Sequence, residues 1–299
     1  MAGFNDFLSA ETMRRLDHLA LGSRWTAEGG RAGRHSSVLK GASVEFRDHR
    51  DYVQGDSLRH LDWKLFGRSE RYFIKQFQEE TSLRVNLVLD ASASMAFRHS
   101  GLASKYAFAR ELVASMAYLA HHQQDSVGLV IYDDQVRRWL AAKGGSRHIR
   151  NFLEALAAHE PSGRTDTGKA LEALAEGMAR RGLVLMLSDL LDSPEAVFRA
   201  LAHFRRRGHD VVLVQVLDPA ELDLPFDGAS DFIDMETGER LEADAALIRR
   251  SYREAISAAI DGFRDRCGAL RVDYRIATTE RTPADFLTEL LADRQRLGA

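Results

Sequence analysis

Cysteine is nearly absent from this 299-residue chain, which carries one, Cys267. A lone cysteine excludes an internal disulfide and a multi-thiolate metal site, and it fits a reducing compartment. Cys267 itself reads as a small packed hydrophobe. The opening residues, Met1-Ala-Gly-Phe-Asn-Asp6, lack the basic stretch and apolar core of a secretory leader. No apolar run approaches the roughly 18 to 20 residues that cross a bilayer, so no membrane span is expected. Charge of one sign is missing too: 41 Lys+Arg nearly balance 44 Asp+Glu, for a net charge of -3. That balance gives no argument for nucleic acid or an anionic membrane as partner. There is no His-Glu-x-x-His, and His121 and His122, being adjacent, point different ways on a helix. His35, His49 and His60 lack metal-ligand spacing. Internal repeats and low-complexity tracts are absent. A cytoplasmic globular protein, long enough to bury a full core, is the expectation.

Short aliphatic runs are what the chain does have. Val85–Leu89, Val127–Tyr132, Leu183–Leu187 and Val211–Leu217 suit strands covered on both faces, as in a mostly parallel sheet. Helical periodicity lies between them, over about 103–121, 149–156, 171–178 and 195–207. The last has Pro194 at its first turn and Gly208 just past its end. The alternation predicts an α/β fold, a doubly wound and mostly parallel sheet, over residues 82–299. A hairpin insertion at about 222–241 is expected within it, with Gly238 in its turn. A helix over about 243–267, a strand over 270–276 and a closing helix over 283–296 complete it. Residues 1–81 read as a charged N-terminal extension. Residues 31–75 hold ten Lys/Arg against six Asp/Glu, and Tyr72–Phe77 reads as a strand leading into the sheet.

The polar residues fall at strand ends. The first strand runs into Asp90-Ala-Ser92-Ala-Ser94, the one at 183–187 into Ser188-Asp189, and Gly163-Arg-Thr165-Asp-Thr167 lies between them in sequence. Loops after the carboxyl ends of parallel strands converge on one edge, so Asp90, Ser92, Ser94, Thr165 and Asp189 can meet there. They offer only oxygen donors, a chemistry that suits Mg²⁺, Mn²⁺ or Ca²⁺ and not zinc. The set resembles the metal-ion-dependent adhesion site of von Willebrand factor A domains. That resemblance implies a bound divalent cation, Mg²⁺ foremost, ligated by Ser92 and Ser94. Asp90 and Asp189 would act directly or through water, Thr165 (and not Thr167) would be the exchanging ligand, and a partner protein would supply a carboxylate. The plainer alternative is a capped helix start with Ser92 or Ser94 as N-cap.

Upstream, Gly33-Arg-His-Ser-Ser37, Glu45-Phe46, Arg50-x-Tyr52, Gly55-Asp56, Arg59, Asp62-Trp63-Lys64 and Arg68 follow in an order that resembles the DUF58 family. There such a run precedes a von Willebrand A-like domain. The resemblance implies a companion of MoxR-type AAA+ ATPases that remodel or mature client proteins. Physically, Arg50, Arg59 and Arg68 could pair with Glu45, Asp56 and Asp62 while Trp63 anchors the segment on the sheet. A docking surface that includes Tyr52 and Lys64 is compatible with such a clasp.

Enzymatic readings fare worse. Gly163–Ala170 nearly matches a phosphate-binding loop, but Ala170 replaces the needed hydroxyl and no strand precedes it. Asp90 as a phosphoryl acceptor lacks a second Asp two residues on, where Ser92 stands. A hydrolase using a metal to activate water lacks a convincing general base. Asp133-Asp134 reads as a turn. The expectation is a non-catalytic, metal-dependent protein-binding adaptor, with a metal-free scaffold as the alternative.

Overall fold

The computed structural model describes residues 2–19, 21, 44–53, 61–69, 71–79, 83–178 and 181–298. Two compact units emerge, residues 30–82 and the remainder. In chain order the helices are α1 (Ala10–Leu16), α2 (Trp63–Ser69), α3 (Lys105–His122), α4 (Ser146–Ala157), α5 (Thr167–Gly177), α6 (Pro194–Arg206), α7 (Pro219–Asp223), α8 (Ala245–Ala269) and α9 (Pro283–Gly298). The strands are β1 (Val44–Asp51), β2 (Phe73–Glu79), β3 (Arg84–Asp90), β4 (Ser126–Tyr132), β5 (Val136–Lys143), β6 (Leu183–Ser188), β7 (Asp210–Leu217), β8 (Ala229–Ile233), β9 (Arg240–Asp244) and β10 (Asp273–Thr278).

The larger unit is the expected α/β fold with a mostly parallel sheet of order β10-β7-β6-β3-β4-β5. Both faces are covered, which is why its central strands are aliphatic without alternation. Val85, Leu87 and Leu89 face a core built with α3, α4 and α9. Val88 faces a second core with Leu171 and Leu174 of α5, Val197 and Phe204 of α6, and Phe263 and Cys267 of α8. Cys267 is buried, and burial pushes its thiol up to about 12. Strand β5 was not foreseen; it pairs antiparallel with β4. A tight turn, in which Asp133 Oδ1 accepts from Gln135 N at 3.0 Å, feeds it, and Arg137, Arg138 and Lys143 give the edge the charge that discourages further pairing.

The expected boundary near residue 81 is corrected in two ways. The described residues at the start of the chain, 2–19 and 21, belong with the α/β unit. Leu8 and Leu16 lie in its core, and Tyr118 of α3 donates to Asp17 Oδ1 at 2.7 Å. Strand β2 does not lead into the large sheet: it pairs antiparallel with β1 in a two-stranded sheet of its own. Among the described residues, no helix is long and apolar enough to cross a membrane.

In the smaller unit, Asp62 works as a helix cap, its Oδ1 accepting from Lys64 N at 2.9 Å and Leu65 N at 3.1 Å. Trp63 is 64% exposed and meets Phe66 edge-on within the same helix. Phe66 stacks on Tyr72, which contacts Tyr52. This unit therefore closes on aromatic contacts, with Tyr52 one residue past β1 and Tyr72 one residue before β2. Lys64 and Arg68 are exposed. Asp56 and Arg59, with the side chains of Glu45 and Arg50, lie outside the described residues, so the ion-pair clasp does too.

Candidate functional site at the carboxyl end of the sheet

Strand order decides where a site can form. After β3 the chain moves to β4 and β5 on one side, then crosses back to β6 on the other. The ends of β3 and β6 thus flank the switch point, where open α/β sheets leave a crevice. Asp90 closes β3 and Ser188 closes β6.

Asp90 is fully buried. Its Oδ1 accepts from Ser92 N at 2.9 Å, which folds the Asp90–Ser94 loop into a short 3₁₀ turn, Ala93–Ala96. Its Oδ2 accepts from Ser188 Oγ at 2.6 Å and, at 3.4 Å, from the Tyr132 hydroxyl. All its hydrogen-bond partners among the described residues are neutral donors. Burial, and then the nearby Asp189 carboxylate, push its pKa up to about 7. Ser92 and Ser94 place their hydroxyl oxygens 3.0 Å apart. Octahedral Mg²⁺, with oxygen at about 2.0–2.1 Å, sets neighbouring ligands about 2.9 Å apart. The serine pair therefore has the spacing of two adjacent ligands.

The 161–167 loop is tied to this turn by backbone, Ala93 N donating to Gly163 O at 3.1 Å and Ser162 N to Ala91 O at 2.8 Å. Its two threonines have different surroundings. Thr165 directs both its N–H and its hydroxyl to the Glu236 carboxylate in the β8–β9 hairpin. Thr167, set aside by the family resemblance, is fully buried near the Tyr132 hydroxyl, and its Oγ1 finds no partner in hydrogen-bond geometry. Its N–H donates to Asp192 Oδ2 at 2.7 Å.

Asp189 differs from Asp90. Its Oδ2 lies 2.8 Å from Lys105 Nζ, which also reaches Glu221 Oε1 at 2.6 Å. Lys105 is fully buried. Burial alone would lower its pKa, but the two carboxylates hold it above the usual lysine value. Sequence reasoning missed Lys105, although a signal existed. It stands four, seven and eleven residues before Ala109, Leu112 and Met116, all buried, so a cation occupies the apolar face of α3. Glu221 completes a capping box with Asp218 at the start of α7. Asp218 in turn accepts from the backbone N–H groups of His99, Ser100 and Gly101 at 2.9–3.0 Å. Although burial raises a carboxyl's pKa, those donors hold Asp218 below the usual range. The loop after Ser94 is thereby pinned to the end of β7.

Of the five expected metal ligands, Asp90, Ser92 and Ser94 share one turn, with Asp189 next to Asp90. Thr165 sits on the adjoining loop with its hydroxyl committed to Glu236. No cluster of three or more His, Cys, Asp or Glu side chains suited to a metal occurs among the described residues. A cation held here relies on serine oxygens and one uncompensated carboxylate. Asp90, Ser92 and Ser94 fit such a cation in donor chemistry and spacing; Asp189 does so only if it shares its charge with Lys105.

A doubly wound α/β protein with an Asp-x-Ser-x-Ser turn at the switch point is the class these features define. The chain belongs to the DUF58 family: the family model described as "Protein of unknown function DUF58" matches residues 48–261. Protein Rv1480 of Mycobacterium tuberculosis is 28% identical over 275 residues, 88% of this chain and 84% of that protein. A Mycobacterium avium protein, MAV169, is 32% identical over 161 residues, 50% of this chain and 88% of its own length. Among solved structures, BatB of Bacteroides thetaiotaomicron is similar at a TM-score of 0.47 and 15% identity, over 72% of this chain and 99% of that one. The SpRpn10 VWA domain is similar at 0.42 and 12% identity, over 70% and 95%.

Proposed function

We propose that this chain is a non-catalytic protein-binding adaptor whose β3 turn holds a Mg²⁺-type cation. Asp90, Ser92 and Ser94 hold the ion, Thr167 and Asp189 border it, and an acidic side chain of a partner protein completes it. The observation that carries this reading is the Asp90 carboxylate, buried against neutral donors only, beside two serine oxygens at ligand spacing. A buried carboxylate with no cation beside it is costly, and a divalent ion supplies the missing charge. When bound, the ion offers a vacant position to a carboxylate oxygen. The chain's own residues orient the site: Ser188 and Tyr132 fix the Asp90 rotamer, and Asp218 fixes the following loop.

Calorimetric titration of Mg²⁺ or Mn²⁺ into chelator-treated protein tests the reading. One ion per chain is expected for the wild type and none for Asp90→Ala; silence in the wild type, or equal binding by both, contradicts it. The family resemblance adds a MoxR-type AAA+ ATPase as the partner that supplies work. Copurification with such an ATPase that is lost on chelation is the corresponding test.

A metal-free scaffold is the second reading, favoured by Lys105 on Asp189 and Glu236 on Thr165, both of which engage expected ligands internally. It predicts partner capture that survives chelation.

A further inference from the structure

The β8–β9 hairpin ends in a turn built to present one side chain. Asp234 Oδ1 accepts from Glu236 N at 2.7 Å and Thr237 N at 2.9 Å, and Gly238 closes the turn at a φ of 74°. That positive φ is open to glycine at little cost. The turn projects Glu236 onto Thr165, where its two carboxylate oxygens separately accept the Thr165 N–H, at 2.9 Å, and the Thr165 hydroxyl. An N–H and an O–H from one residue, converging on both oxygens of a carboxylate, form a carboxylate receptor.

Beyond this contact and the attraction between Asp234 and Arg164, the hairpin is held by few apolar contacts. Ile233, Met235 and Leu241 are 54%, 45% and 64% exposed, and no hairpin residue enters either core. Phe232 meets Phe226 edge-on, and Glu236 is half-buried. The receptor adjoins the Asp90–Ser94 turn through the Ala93–Gly163 and Ala91–Ser162 backbone bonds.

We propose that the N–H and hydroxyl of Thr165 form a carboxylate-binding site, occupied in cis by Glu236, for which an acidic side chain of a partner protein competes. The hairpin is then a tethered plug, and docking at this edge requires it to lift. This rests on the reading that partners dock at the carboxyl end of the sheet, but it needs no metal.

Chemical rescue tests it, with all measurements in chelator. In Glu236→Ala, amide hydrogen exchange at Thr165 and across residues 229–244 is expected to rise about tenfold, the scale of losing one charge-assisted hydrogen bond. Acetate titrated into ¹⁵N-labelled Glu236→Ala then shifts the Thr165 amide resonance saturably, while equal chloride does not, and the wild type stays silent because Glu236 blocks the site. Glu236→Gln, which keeps the shape, shows the faster exchange without opening the pocket. The proposal falls if the wild type responds to acetate as the variant does, if Glu236→Ala ignores acetate, or if exchange at Thr165 is unchanged. Acetate binding in a chain that fails to take up Mg²⁺ would sink the metal reading and leave this one standing.

Discussion

The neighbouring strands β3 and β6 end alike in sequence, each with an aspartate after an aliphatic run, yet their carboxylates live in opposite electrostatic settings. At the end of β6, Asp189 has a buried ammonium at 2.8 Å, and Lys105 shares it with Glu221. At the end of β3, Asp90 is equally buried but meets hydroxyls and a backbone N–H. One aspartate is held in an ion pair; the other has only neutral donors for partners among the described residues. Two carboxylates from one motif therefore need not share one role, and the internal lysine is what separates them.

Breaking the lysine should produce the largest effect. Lys105→Met leaves Asp189 and Glu221 buried without their cation and is expected to cost about 3–5 kcal/mol in urea unfolding. A loss below about 1 kcal/mol would mean the triad carries little of the site's stability. Next comes the loop that Asp218 pins. A Cβ at Gly101 would run into Thr279 Oγ1, so Gly101→Ala is expected to lose about 1–3 kcal/mol. Adding Thr279→Ala should restore part of that, and no restoration would place the clash elsewhere.

The effect at Asp90 has the opposite sign. In chelator, Asp90→Asn is expected to raise stability by about 1 kcal/mol at neutral pH, because it removes a buried charge that lacks a cation. A marked loss instead would show that hydrogen bonding, not charge, dominates there.

Asp125 gives the smallest effect and a pH signature away from the site. Burial raises its pKa to about 6, against the Leu83 N–H that it accepts at 2.7 Å. The folded chain then holds a proton that the unfolded chain has released, so stability grows as pH falls from about 6 towards 4. Asp125→Asn should flatten that slope and gain about 1 kcal/mol at pH 7, discounted because the group is partly exposed to solvent. An unchanged slope in guanidinium midpoints between pH 4 and pH 7 would contradict it.

Much of this architecture was legible because burial on both faces writes itself as unbroken aliphatic runs. Val85–Leu89, Leu183–Leu187 and Val211–Leu217 all became central parallel strands. Strand β5 escaped because an edge strand with Arg137, Arg138 and Lys143 has no continuous apolar run. The place of residues 2–19 escaped because local charge counts say nothing about which core Leu8 and Leu16 join. At the site, strand-end placement brought Asp90, Ser92, Ser94 and Asp189 to one edge. The partners of Thr165 and Asp189 were hidden for different reasons. Glu236 lies 71 residues from Thr165 in an ordinary turn, a contact with no local signature. Lys105 did have one, a cation on the apolar face of a helix, which is easy to pass over as a solvated lysine.

The difference between the two strand ends is tested most directly by metal uptake in matched variants. In calorimetric titration with Mn²⁺, Asp90→Asn is expected to lose at least about 100-fold in affinity, while Asp189→Asn, with Lys105 still paired to Glu221, stays within about tenfold of wild type, about 1.4 kcal/mol. Equal losses in both, or a larger loss at Asp189, would contradict the assignment of the ion to β3 and of the lysine to β6.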